Sequence, residues 1–162
     1  MPSPLDSASV QRVQAALQAA GSSARVIALS DTARSAQDAA DSIGCPLGAI
    51  VKSLVFAVDG QPVMALVAGD RQCDTGALPA VLGLAGRCRR ADAEQVRAAT
   101  GFAIGGVAPV AHPASLPVAI DASLGRFDVI YAAAGHPHCV FATDLAELQR
   151  LTAASASEAV AR

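Results

Sequence analysis

The chain has 162 residues, a net charge of −2 and a hydrophobic fraction of 52%, much of it alanine. That length suits a single domain, 1–162, with a core of its own. The charge excludes a coat for duplex DNA, which needs an extended basic surface, and no apolar run approaches the roughly 20 residues of a membrane span.

Nothing near Met1 has the basic flank and apolar stretch of a secretory signal. The cysteines Cys45, Cys73, Cys88 and Cys139 are scattered, with no CxxC pair. A reduced cytoplasmic protein without a disulfide framework or zinc site is therefore expected.

Val10, Val13 and Leu17 recur at helical spacing behind Ser7 or Asp6 as cap, and Gly21 stops that helix. Arg25 to Leu29 reads as a short strand. Ser35 to Ile43 reads as a second helix, with Ser35-x-x-Asp38 at its start and Gly44 then Pro46 at its end. Ile50 to Val58 is a long strand, free of Gly and Pro and rich in β-branched residues. Asp59-Gly60 turns it into a hairpin with Pro62 to Ala68.

Asp74 to Leu82 has a helical pattern that Pro79 shortens or bends. Gly86 to Arg90 reads as a strand, and Asp92 to Ala99 as a helix closed by Gly101. The segment 101–117 fits neither period. Pro117 to Ile120, Asp128 to Ala133 and Cys139 to Ala142 read as strands, and Thr143 caps a last helix carrying Leu145, Leu148 and Leu151. From Thr152 the Ala/Ser-rich tail is expected to fray, leaving a core of about 5–152. Strands interleaved with helices, with one tight hairpin, point to the α+β class: a mixed, curled sheet with flanking helices.

Lys52 is the only lysine in the chain. On a strand it shares a face with Leu54, Phe56 and Val58, where an ammonium is costly without a partner or a cleft. It is either a snorkelling surface lysine or a site lysine. The run Gly101 to Pro109 lets backbone approach a ligand closely, yet it is neither a P-loop nor a dinucleotide fingerprint. His136-x-His138 lacks a third ligand at a persuasive spacing, so no metal is expected. Ser53 has no nucleophile-elbow context. Arg87, Arg89, Arg90 and Arg97 form a basic cluster that is a solvated face or a phosphate contact.

These parts, in this order, resemble the YbaK/EbsC family, freestanding relatives of the editing domain inserted in bacterial prolyl-tRNA synthetases. The matching pieces are Cys45-Pro46, Ile50-Val51-Lys52-Ser53-Leu54-Val55-Phe56 and Gly69-Asp70-Arg71. Thr100-Gly101-Phe102, Ile104-Gly105-Gly106-Val107-Ala108-Pro109 and His112-Pro113 follow. Ile120-Asp121, Ala133-Ala134-Gly135-His136-Pro137 and Val140-Phe141 complete the set.

The resemblance implies a curled, barrel-like mixed sheet and hydrolysis of mischarged aminoacyl-tRNA, gripped at its acceptor end, without a cofactor. It implies an active site at Lys52, Gly105, Gly106 and Pro109, with Val107, His112, Asp121 and Gly135 also at motif positions. Phe56 and Ala132-Ala133-Ala134 would line an apolar pocket of small residues, suited to alanyl, seryl or threonyl groups. Relatives resembling the cysteinyl-specific subgroup carry Ser where this chain has Ala133, which argues against Cys-tRNA. Two alternatives stand beside a deacylase: a non-catalytic module for tRNA ends or nucleotides, and a Schiff-base enzyme using Lys52 as nucleophile.

Overall fold

The computed structural model describes residues 3–30 and 33–162. Helix α1 (Ala8–Ala19) begins where the Ser7 hydroxyl accepts the Val10 N–H, and its buried stripe is Val10, Val13 and Leu17. After strand β1 (Val26–Ala28), helix α2 (Ala36–Ile43) is capped by Ser35 and closed by Gly44 at φ 84°. Strands β2 (Ile50–Val58) and β3 (Gln61–Ala68) meet at Asp59 and Gly60. Both turn residues have positive φ, 48° and 86°, as a two-residue type I′ hairpin requires.

Helix α3 (Leu78–Val81) is shorter than its pattern predicts. Asp74 Oδ1 accepts the Ala77 N–H in a separate turn, and Pro79 lacks an N–H for the first helical turn. Strand β4 (Cys88–Arg90) leads to helix α4 (Ala93–Thr100), which carries a complete Asp92/Gln95 capping box. Strands β5 (Val118–Asp121), β6 (Ile130–Ala133) and β7 (Cys139–Thr143) follow. Helix α5 (Leu145–Thr152) is capped by Asp144 rather than Thr143, and strand β8 (Ala156–Ser157) comes last.

The sheet runs β1-β7-β6-β2-β3-β5-β8, with β4 also on β2. It is mixed: β2–β6, β3–β5 and β5–β8 are parallel, and the hairpins are antiparallel. It curls without closing into a barrel, since β1 and β8 lie at opposite ends of the path.

The C-terminal tail does not fray. β8 adds to β5, Cys73 bridges Ala161, and Gln72 exchanges both backbone hydrogen bonds with Arg162. Val160 is fully buried against Phe56, Val63 and Leu78. Composition hid this because one anchoring valine gives no periodic signal, and the rest of the tail is held by backbone.

β2 buries both faces. Val51 and Val55 join a core with Leu17, Phe102 and Phe141, while Phe56 and Val58 join a second layer with Val63, Val67 and Leu78. Its two edges differ. β3 pairs with it from Val51 to Val58. On the other edge β6 covers only Ile50 and Val51, and β4 only Phe56 to Val58. Residues 52–54 therefore border a gap inside the sheet.

Phe102 pins the loop after α4 to the core. The Arg12 guanidinium lies 4.4 Å above its ring, and His112 meets its edge at 6.3 Å. His112 Nε2–H donates to Ala108 O at 2.7 Å. Burial, with Arg12 adding to it, holds His112 below the usual histidine range, and the Ala108 bond only partly opposes this.

Two outcomes are expected. Val160→Ala removes two buried methyl groups at about 0.8 kcal/mol each and leaves a void, so unfolding in urea should show a loss of about 2 kcal/mol. As pH falls below about 6.5 the unfolded chain protonates His112 first, so stability is full above that pH and declines toward the lower folded pKa. His136, also lowered by burial and by His138, contributes with the same sign. Melting temperatures at pH 7.5 and 5.5 should therefore differ less for His112→Gln than for the wild type.

Candidate functional site

A cavity of about 300 Å³ opens where β2 lacks a strand on its second edge. Lys52 and Ser53 come from β2, Ile104, Gly105 and Val107 from the loop after α4, and Tyr131, Ala133 and Cys139 from β6 and β7. Arg34 and Arg90 stand on its margin, both exposed. Neither enters an ion pair with a described residue; the pairs present are Arg126–Asp70 and Arg150–Glu147.

Lys52 is half-buried, and its Nζ donates to Arg71 O at 2.5 Å. That carbonyl belongs to the turn leaving β3, which is fixed by a two-pronged pair. Arg126 Nη1 donates to Asp70 Oδ2 at 3.0 Å and Nη2 to Oδ1 at 2.8 Å. The same hydrogen bond from Arg126 holds the Asp70 carboxyl below its usual range. Gly48 makes room for the pair, because a Cβ there would lie 2.9 Å from both Arg126 Nη2 and Asp70 Oδ2. An ammonium has three N–H groups, so two of those on Lys52 remain for a ligand.

The glycine loop is a β-turn in the wall of the same cavity. Gly106 N–H donates to Ala103 O at 3.1 Å, and Gly105 takes φ 96° at the third turn position, which favours glycine. Ile104, 58% exposed, caps the corner of the turn. Gly106 permits the closest approach, since a Cβ there would meet His136 N at 3.0 Å and the Gly135 carbonyl carbon at 3.1 Å. Its N–H is engaged, whereas those of Ile104, Gly105 and Val107 have no partner among the described residues.

The geometry thus brings together Lys52, Gly105, Val107 and Ala133. Other expected positions lie elsewhere. Phe56, 4% exposed, packs into the second core layer with Val63, Leu78 and Val160 and does not line the cavity. Asp121, 2% exposed, accepts from Ala68 N at 3.1 Å and Ser123 N at 2.9 Å, tying β5 to the end of β3. Gly135 packs on the start of α1, where a Cβ would lie 2.8 Å from Ser9 O. Pro109 and His112 line a separate hollow with Ala16, Ala20 and Leu151.

Residues that local pattern did not single out for the cavity include Ile104, Tyr131, Cys139 and Arg34. Only the sheet register places them there, and register is a long-range property. Burial pushes the Cys139 thiol up to about 11, so it stays protonated near neutrality and is a poor nucleophile. His136 Nδ1 accepts the His138 N–H at 3.0 Å, which commits that ring nitrogen to its own turn.

A solved structure of a proposed trans-editing enzyme for prolyl-tRNA synthetase superposes with a TM-score of 0.88 and 39% identity, over 94% of this chain and 96% of that one. Protein YwhH of Bacillus subtilis is 35% identical over 100 residues, 61% of this chain and 62% of that protein. The proline–tRNA ligase of Nitratidesulfovibrio vulgaris, strain Hildenborough, is 44% identical over 68 residues, 42% of this chain and 12% of that enzyme. The model of the aminoacyl-tRNA editing domain matches residues 30–151, which include Lys52, the glycine loop and every strand lining the cavity. The chain belongs to the aminoacyl-tRNA editing domain family.

Proposed function

We propose that this protein is a trans-acting deacylase that hydrolyses the ester of mischarged aminoacyl-tRNA in the cytoplasm. One observation carries the reading. The chain's one lysine and a tight glycine turn with uncommitted N–H groups line the same cavity of about 300 Å³. Lys52 holds the terminal ribose or its phosphate as a compact charge. The Gly105 and Val107 N–H groups stabilise the oxyanion as water adds to the carbonyl. The ester is already activated, so water oriented by the neighbouring ribose hydroxyl suffices as nucleophile. Arg34 and Arg90 take phosphates of the acceptor strand at the margin.

The pocket accepts small uncharged groups, alanyl, seryl and threonyl. It rejects charged ones, because burying an unpaired charge is costly. Release of amino acid from Ala-, Ser-, Thr-, Cys- and Asp-charged tRNA tests this, and fastest turnover of Cys or Asp, or of none, would overturn it.

Lys52→Ala should abolish deacylation with an unchanged circular dichroism spectrum, and Lys52→Arg should be poor, since a planar fork does not replace an ammonium. Gly106→Ala pushes the turn away from 135–136 and misplaces both donors, so kcat should fall by about 10²-fold with a smaller change in KM. Single-turnover rates on a saturating charged tRNA separate the two effects.

A further inference from the structure

Ser53 carries a hydroxyl without a partner among the described residues and a peptide edge with no strand paired beside it. Its Oγ is buried and has no hydrogen-bond partner among the described residues. Its backbone is equally uncommitted. Amide groups alternate between the two edges of a strand. Ile50 O accepts from Gly69 N on the β3 edge, and Val55 O accepts from Ala91 N on the β4 edge. Ser53 has the parity of Val55, so its N–H and C=O turn toward the gap. There β6 has already ended its pairing at Val51, and β4 has not begun. An orphaned hydroxyl beside an unpaired peptide group is rare in a folded interior and calls for an explanation. Ser53 also lines the cavity, among apolar neighbours such as Val51, Val55 and Val107.

We infer that Ser53 is the residue that recognises the amino-acid moiety and sets its specificity. This rests on the deacylase reading and deepens it. The Ser53 carbonyl accepts from the α-ammonium, completing the strand edge with a ligand instead of a strand. Serine has three staggered χ1 positions, so the recessed hydroxyl turns to meet a ligand oxygen at about 2.7–2.8 Å. A seryl or threonyl hydroxyl satisfies it, an alanyl methyl leaves it orphaned, and a cysteinyl thiol is a weak partner. The site therefore favours hydroxylated amino acids over alanine. A single neutral hydrogen bond supports a preference of about tenfold.

The probes are 3′-seryl- and 3′-alanyl-amido-3′-deoxyadenosine, stable amide mimics of the charged terminus. Calorimetry on the wild type, Ser53→Ala and Ser53→Thr reads the ratio of their Kd values, and initial rates on Ser- and Ala-charged tRNA read the same ratio in turnover. The wild type should favour the seryl probe by about tenfold, Ser53→Ala should bring the ratio close to one, and Ser53→Thr should keep the preference. Ser53→Ala should also melt at the wild-type temperature or above, because it deletes an unsatisfied polar group; a hydroxyl with a structural role would lower it. No preference in the wild type, a preference surviving in Ser53→Ala, or no binding of either probe overturns the inference. Probe binding with the expected ratio but no hydrolysis of any charged tRNA would sink the deacylase reading and leave this one standing.

Discussion

The site depends on a break in one edge of β2. A strand with partners on both edges offers a ligand nothing, because its N–H and C=O groups are all spent in the ladder. β2 is complete against β3 but covered only at its two ends by β6 and β4. In between, peptide groups and side chains of one strand border a cavity, while the ends stay anchored. An ordinary edge strand would present such groups along its whole length and invite pairing with another chain. Here the opening is a few residues long and walled by the loop after α4.

The walls are held by close approach rather than by large side chains. Gly106 lets one loop lie against 135–136, Gly135 lets the next lie on α1, and Gly48 leaves room for the Arg126–Asp70 pair that steadies the Arg71 carbonyl. Each glycine removes a Cβ that would sit at about 3 Å or less from its neighbour. Lys52 is placed by this chain of contacts. Its stem runs on a strand with apolar neighbours, and its ammonium is satisfied by a carbonyl that carries no charge. A carboxylate partner would have bound it more strongly and left it less free to meet an anionic ligand.

Much of the fold was legible because it is local. The stripe Val10, Val13, Leu17, the Asp59-Gly60 hairpin, the Asp92 cap and the glycine stops each follow from spacing and backbone chemistry. Lys52 was legible as an anomaly, one charge in an apolar strand. What was not legible was whatever depends on which strand lies beside which. Phe56 lies on the same face of β2 as Lys52 but further along, where it packs into the second core layer, so a shared face does not mean a shared cavity. Asp121 sits in a matching motif, yet its carboxylate is spent on two backbone N–H groups. The tail after Thr152 reads as frayed because backbone pairing to β5 and to Gln72 leaves no trace in side-chain pattern.

The division of labour follows from where the polar groups are. On the proposed mechanism, the atoms that meet the ester are backbone N–H groups of a turn and the amine of one lysine. The gap in β2 adds further backbone groups. Side chains such as Val107, Ala133 and Ser53 shape the cavity without carrying the hydrolysis. A change at one of them alters which acyl group fits while the turn and the gap persist, because those are set by glycines and sheet register. Specificity can therefore shift by single substitutions at the cavity wall. Loss of Gly106, or of the Arg126–Asp70 pair, strikes the support common to every substrate. With two arginines at the margin that have no ion pair among the described residues and a net charge of −2, the proposed deacylase would have little purchase on the body of a tRNA. Selection of substrate then falls mainly on the acyl group and the strand end that enter the cavity.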